Sequence, residues 1–282
     1  MIKQLIINAD DFGLSSSVNQ AIIEAHKNGI LTSTSLMVSG LACQEAVTLA
    51  KQHPDLGVGL HLVLVCGRSV LPATTIPHLV DSQGNFPDDA VKAGLTYQFN
   101  QAARQELALE IRAQLEKFQQ TGLSLSHVDG HLHLHVHPVV LNILKELASE
   151  FSIPFIRLPK EELKLNLAID SSNLLTKILW SQVFGQLRRH GEKVLESAGI
   201  LTTERVYGLL QTGKISEFYL LQLLPQIQAT LVEIYAHPDR LPNAVNPTGP
   251  LELQALLSPA VRDRLKKEGF QLVNYHQIKP SN

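Results

Sequence analysis

The sequence predicts an α/β protein: a distorted βα barrel of the TIM type, with seven or eight strands, in a single domain spanning 1–282. Three observations lead there. Short β-rich runs alternate with segments of helical spacing, the pattern of a parallel sheet with helices outside it. Seven or eight such units fall within 282 residues, which favours a closed or nearly closed barrel over an open sheet. Polar residues able to do chemistry stand where the apolar runs stop, and a parallel barrel gathers its site at those ends.

The first strand is expected at 4–8, running into Asp10-Asp11. Ser16–Asn28 places Val18, Ala21, Ile22 and Ala25 on one helical face, and Gly29 stops it. Strands follow at 31–38 and 57–64; the latter is apolar but for His61 and its glycines, as in a strand covered on both faces. Residues 66–97 then break the rhythm with Pro72, Pro77, Gly84, Pro87 and Gly94. A long insertion directly after a strand is expected to be a lid or substrate loop. The segment 102–120 repeats Leu107, Leu109, Ile111, Leu115 and Phe118 at helical spacing. A strand at 123–129 enters a histidine-rich run, and Pro138 suits the first turn of a helix at 139–150. Further strands are expected at 154–158, 203–207, Leu231–Ala236 and 270–275, with a last helix at 259–268. The proline-rich loop 237–250 is the second excursion after a strand, and 159–225 otherwise shows only helical patches.

Composition narrows the function. The chain carries 24 Lys and Arg against 26 Asp and Glu, a formal charge of −2, so it lacks the basic stripe of a nucleic-acid binder. At 44% hydrophobic and 18% charged residues it is neither disordered nor fibrous. Cys43 and Cys66 match no zinc spacing and no disulfide framework, which fits a reducing compartment. The N-terminal segment has no signal-peptide pattern, and no apolar run reaches the ~20 residues of a spanning helix. A cytoplasmic protein without a transmembrane segment is expected, with peripheral membrane contact left open.

Five of the twelve histidines lie in 127–137. Polar groups occupy every second position there except Gly130, so the run reads as a strand passing into a loop, with Asp129 and the histidines on one face. Neutral imidazole is the commonest metal ligand, and a merely solvated face rarely uses histidine five times. Asp10 and Asp11 stand at the mouth end of the first strand, where neighbouring carboxylates point in different directions and can take different roles. Helix capping is the plainer reading of such a pair. His61, taken alone, reads as a satisfied core histidine. His237 precedes Pro238, which holds its backbone extended at a strand end. Arg157, where another strand stops, reads in isolation as a surface arginine. Their joint placement is more informative. Asp10, Asp11, His61, His131 and His237 fall at or near the ends of different strands, and one carboxylate with two imidazoles leaves metal positions open, as in a hydrolytic site.

The motifs Asn8-Ala9-Asp10-Asp11-Phe12-Gly13, Thr32-Ser33-Thr34-Ser35, Gly59-Leu60-His61, His-x-Asp-x-His-x-His-x-His at 127–135 and Glu233-Ile234-Tyr235-Ala236-His237-Pro238 resemble, in order, those of the YdjC-like carbohydrate deacetylases. The resemblance runs from residue 4 to about 275. It implies N-acetyl removal from amino sugars, with Asp11, His61 and His131 as metal ligands, Asp10 as general base and His237 as general acid. His133, His135, Asp129 and Arg157 are expected to contact substrate or to support the ligands. One divalent ion is implied: two imidazoles and a carboxylate suit Zn2+, and the family implies Mg2+ as well. The stretch from Gly59 to Pro87 looks most like the hopanoid-associated branch, whose acceptor is an N-acetylglucosaminyl lipid. Asp129-Gly130 departs from that branch, where Asn-Ala is expected. The expected partner is therefore an N-acetylated amino sugar, lipid-linked in that branch, or else a chitooligosaccharide; a homodimer is left open. Two other classes compete: a metal-dependent phosphoesterase, which needs more carboxylates at the mouth, and a metal store built on the 127–137 run.

Overall fold

Leu5, Ile6, Ile7 and Ala9, all fully or almost fully buried, make the N-terminal segment the strand around which the sheet is assembled. The computed structural model describes residues 2–242 and 246–278. The elements are β1 (Lys3–Phe12), α1 (Ser16–Asn28), β2 (Ser33–Leu36), α2 (Cys43–Gln52), β3 (Gly57–Leu62), α3 (Ala90–Phe99), α4 (Gln101–Gln120), β4 (Val128–Gly130), α5 (Pro138–Phe151), α6 (Leu163–Ile169), α7 (Leu174–Glu196), β5 (Arg205–Tyr207), α8 (Glu217–Leu223), β6 (Leu231–Ala236), α9 (Gly249–Leu257), α10 (Pro259–Lys267) and β7 (Phe270–Leu272). The helix at Ser16–Asn28 has the bounds expected, with the Ser15 side chain capping Val18 N.

Among the described residues, one seven-stranded sheet runs in the order β4-β3-β2-β1-β6-β5, with β7 added along β1. Every ladder is parallel. The α/β architecture is therefore as expected, but the sheet is a partial barrel. Its path ends at β4 on one side and β5 on the other. Residues 154–158, expected as a strand, form only isolated parallel bridges, Val128 to Ile156 and Phe155 to Leu201, and just beyond them Lys160 makes an antiparallel bridge to Val206 of β5. Pro154 and Pro159 bracket this segment, and proline cannot donate to a ladder.

Register decides which side chains meet. Ala9 pairs with Ala236, so Asp10 and His237 leave the sheet side by side. His61 pairs with Asp129 across β3 and β4. Arg157 N donates to Val128 O at 3.0 Å, which brings Arg157 alongside them.

The histidine run does not form the strand the alternation suggests. β4 stops at Gly130, and His131–Val136 curls into a 3-10 turn with Leu132 and His133 left-handed, at φ 48° and 57°. A Cβ at Gly130 would lie 3.0 Å from Leu62 O and 3.1 Å from His135 Cβ, so the chain folds back over the space that glycine leaves. The five histidines therefore face five different surroundings.

The insertion at 66–97 is fastened down. Glu106 and Glu110, one turn apart on α4, take the backbone N–H groups of His78 and of Val70 and Leu71. The Glu106 carboxylate also meets His78 Nδ1 at 2.5 Å. A cavity of about 670 Å3 lies within the insertion, bounded by Arg68, His78, Phe86 and Tyr97 among others. Of the expected loop 237–250, residues 243–245 lie outside the described residues. Among the described residues, no helix is long and apolar enough to cross a membrane.

Candidate metal centre and its catalytic cluster

β1 ends in an irregularity. Its register with β2 shifts between Ala9 and Phe12, and Asp11 takes a left-handed conformation at φ 66°. Strict alternation would send the two carboxylates to opposite faces. The kink instead lets both join one cluster, at a backbone cost of about 1–3 kcal/mol that Asp tolerates better than most residues. Neither caps the helix that follows; Ser15 does that.

Asp11 meets the two expected imidazoles. Its Oδ1 lies 3.0 Å from His131 Nδ1 and 3.3 Å from His61 Nε2. The three residues offer donor atoms all within 4.8 Å of one another. His61 is 1% exposed, and its other nitrogen, Nδ1, sits 2.7 Å from Asp129 Oδ1. A carboxylate on the far nitrogen orients the ring with Nε2 toward Asp11, the usual support for a metal-binding histidine. Burial alone would depress the His61 pKa, but Asp129 and Asp11 outweigh it and push it up to about 10. Burial would raise the Asp11 carboxyl, yet His131 and His61 hold it well below the ordinary carboxylate range. An ion pair of this kind without a metal, or a divalent ion in place of the proton, satisfies the same atoms. The donor set fits a small cation.

Asp10 has different neighbours. Arg157 grips it with two N–H groups, Nη1 to Oδ2 and Nη2 to Oδ1, each at 2.8 Å, while Asn8 Nδ2 donates to Oδ1 at 2.9 Å. His237 Nε2 stands 3.9 Å from Asp10 Oδ2. Arg157 is 1% exposed, so its reading as a surface residue is overturned. It lies over the Tyr235 ring at 4.5 Å and also contacts Asp129 and Glu233.

The remaining histidines serve elsewhere. His127 stacks on Tyr275 at 4.0 Å and fits only because β3 has glycine at 59, where a Cβ would come within 2.4 Å of the imidazole. His133 Nε2 pairs with Tyr235 OH at 2.8 Å, and His135 Nε2 with Arg157 O at 3.0 Å. Burial drives both imidazoles down, His135 to about 4, so both are held neutral. His137 lies edge-on to Tyr97 of α3.

The family follows from comparison of the whole chain. The model of the family described as YdjC-like protein matches residues 4–267. The chain belongs to the YdjC-like family. A carbohydrate deacetylase of Clostridium beijerinckii is 31% identical over 98% of this chain and 100% of that one. One from Brevibacillus brevis is 46% identical over 54% of this chain, a match in which the chain spans only 58% of that protein. Among solved structures, a candidate cellobiose-phosphate cleavage protein from Enterococcus faecalis V583 superimposes with a TM-score of 0.74 at 26% identity, covering 98% of both chains.

This YdjC-like chain also buries two carboxylates in the cluster that no motif singles out. Glu233 is fully buried in β6, accepting from Arg157 Nε at 2.8 Å and from Tyr275 OH at 2.6 Å. A lone carboxylate in an apolar strand, like His61 in β3, was the available signal. Glu252 on α9, 1% exposed, accepts the backbone N–H of His237 at 2.5 Å; burial raises its pKa and His237 opposes that. Its helical context offers no comparable signal.

Proposed function

We infer that the chain is a carbohydrate deacetylase that hydrolyses the N-acetyl group of an amino sugar with the help of one divalent ion. The observation that carries this reading is the convergence of Asp11, His61 and His131 beside an arginine-held Asp10 and His237. Asp11, His61 and His131 would hold the ion, Zn2+ or Mg2+, which supplies Lewis-acid polarisation of the acetyl carbonyl. Asp10 takes the proton of the attacking water, its carboxylate aimed by Arg157 and Asn8. His237, on the neighbouring strand end, gives a proton to the departing nitrogen so that a neutral amine leaves. Tyr235, buried edge-on beside His237, and its partner His133 form the wall behind this pair. The insertion 66–97, pinned along α4, serves as a fixed wall of the substrate site.

The acceptor in this reading is an N-acetylglucosaminyl lipid of the hopanoid type, handled by a cytoplasmic protein at the membrane surface. Exposed apolar side chains support it. Val91, Leu95 and Phe99 of α3 and Leu175, Leu179 and Trp180 of α7 are exposed, and Leu132 is 50% exposed between His131 and His133. Both helices pack against the turn that carries Leu132. Asp129-Gly130 favours instead a soluble chitooligosaccharide. Mass-spectrometric product analysis decides, with N-acetylglucosaminyl lipid offered beside chitobiose. Asp10→Asn should retain its metal and lose activity by at least about 10²-fold on whichever substrate the wild type accepts. Full activity in that variant contradicts the assignment.

A further inference from the structure

Arg157 is surrounded by more negative charge than one guanidinium can satisfy. Its Nη2 lies 2.8 Å from Asp10 Oδ1, 2.8 Å from Asp129 Oδ2 and 2.7 Å from Glu233 Oε1. That nitrogen carries only two hydrogens, so three carboxylate oxygens cannot all receive an aligned bond from it. Glu233 Oε1 also takes the Nε–H, at 2.8 Å, yet buried Asp129 Oδ2 is left without an aligned hydrogen bond, with His127 Nε2 standing 3.6 Å away. Three carboxylate oxygens converging on one point is the environment of a cation whose attraction has no direction, not of an N–H donor. Asp10, Asp129 and His61 also bring donor atoms within 4.8 Å of one another, and His61 is shared with the Asp11, His61 and His131 set. The two donor sets share His61, and Arg157 Nη2 lies 2.8 Å from a carboxylate oxygen of both Asp10 and Asp129 in the second.

We propose that Arg157 occupies a latent second divalent-cation position, and that its guanidinium is what limits this centre to one metal ion. The proposal rests on the reading that Asp11, His61 and His131 hold the first ion. Asp10, Asp11, Asp129 and Glu233 bring four carboxylates; one divalent ion and one guanidinium leave a single negative charge among them. An uncharged side chain at 157 leaves two, the charge that one further divalent ion cancels. The same acidic cage that would serve a dinuclear hydrolase is thereby committed to orienting Asp10, because a covalently tethered cation cannot exchange or bridge to substrate.

Mn2+ titration followed by elemental analysis and electron paramagnetic resonance tests this. Wild type should take about one Mn2+ per chain with the spectrum of an isolated ion, and Arg157→Lys should do the same. Arg157→Met should take about two, with the exchange-coupled spectrum of ions about 3.5–4 Å apart. If that variant is unfolded without metal, Mn2+ should restore its circular dichroism with two equivalents bound; failure to recover at any concentration overturns the proposal. One ion in a folded Arg157→Met overturns it while leaving the metal reading intact, as does a second tight ion in wild type. Wild type binding no ion at all defeats the metal reading itself.

Discussion

The histidine-rich segment 127–137 and the mouth ends of β1, β3 and β6 hold the same kinds of side chain and use them differently. In the segment, five imidazoles within eleven residues scatter to five surroundings, and only His131 reaches Asp11. At the strand ends, one or two residues per strand converge from positions more than two hundred residues apart, because the ladder of Ala9 to Ala236 and that of His61 to Asp129 fix their register. Density of ligand-type residues along the chain is thus a poor guide to a centre. Register between strands is a better one.

The largest effect that can break this contrast comes from alanine at single histidines. His61→Ala and His131→Ala should each abolish tight metal binding and turnover, whereas His137→Ala should retain the metal with activity close to wild type. Isothermal titration with Zn2+ or Mn2+ measures this. A metal store on the 127–137 run would give the opposite ranking, with binding that survives His61→Ala.

Next comes the division of labour at the mouth. His237→Ala should keep its metal and lose about 10²- to 10⁴-fold on an N-acetyl substrate. Its loss on an activated acetyl ester should be far smaller, since a good leaving group departs without protonation. Equal losses on both would remove His237 from the role of acid.

If His61 holds the ion, Asp129→Asn should cost about 10- to 100-fold in metal affinity, because the carboxylate behind that imidazole fixes its orientation. An affinity unchanged from wild type would mean that His61 is held by its strand alone.

The smallest effect concerns pH. Burial pushes the His135 pKa from its ordinary 6.5 down to about 4, against the pull of Asp129. Its folded value lies below its unfolded one, so between those values the unfolded chain binds more protons. Its contribution to stability is intact above about pH 6.5 and falls as pH drops toward about 4. His135→Asn should flatten that part of the urea-midpoint profile; an unchanged slope would assign the acid sensitivity to other groups.

Much of this arrangement is legible in the sequence. Strand–helix alternation located most elements, and the strand-end placement of Asp10, Asp11, His61, His131 and His237 brought them to one cluster. The failures have specific causes. Period-two polarity at 127–137 implies a strand passing into a loop with the histidines on one face; β4 does pass into a turn, but left-handed Leu132 and His133 send the imidazoles apart. Arg157 looked like a surface residue because one cation gives no hint of three carboxylates arriving from β1, β4 and β6. Glu252 was invisible because its role depends on α9 packing beneath His237, a contact that spacing along the chain does not encode. Strand–helix alternation implies more barrel closure than the sheet has, since 154–158 starts at Pro154, precedes Pro159 and forms bridges without a strand.

The most direct test of the strand-end centre is a crystal of the Mn2+- or Zn2+-loaded protein measured at the metal's absorption edge. One anomalous peak bonded to Asp11, His61 and His131, with Arg157 still between Asp10 and Asp129, is the result expected. A peak held instead by His133, His135 or His137 would contradict it.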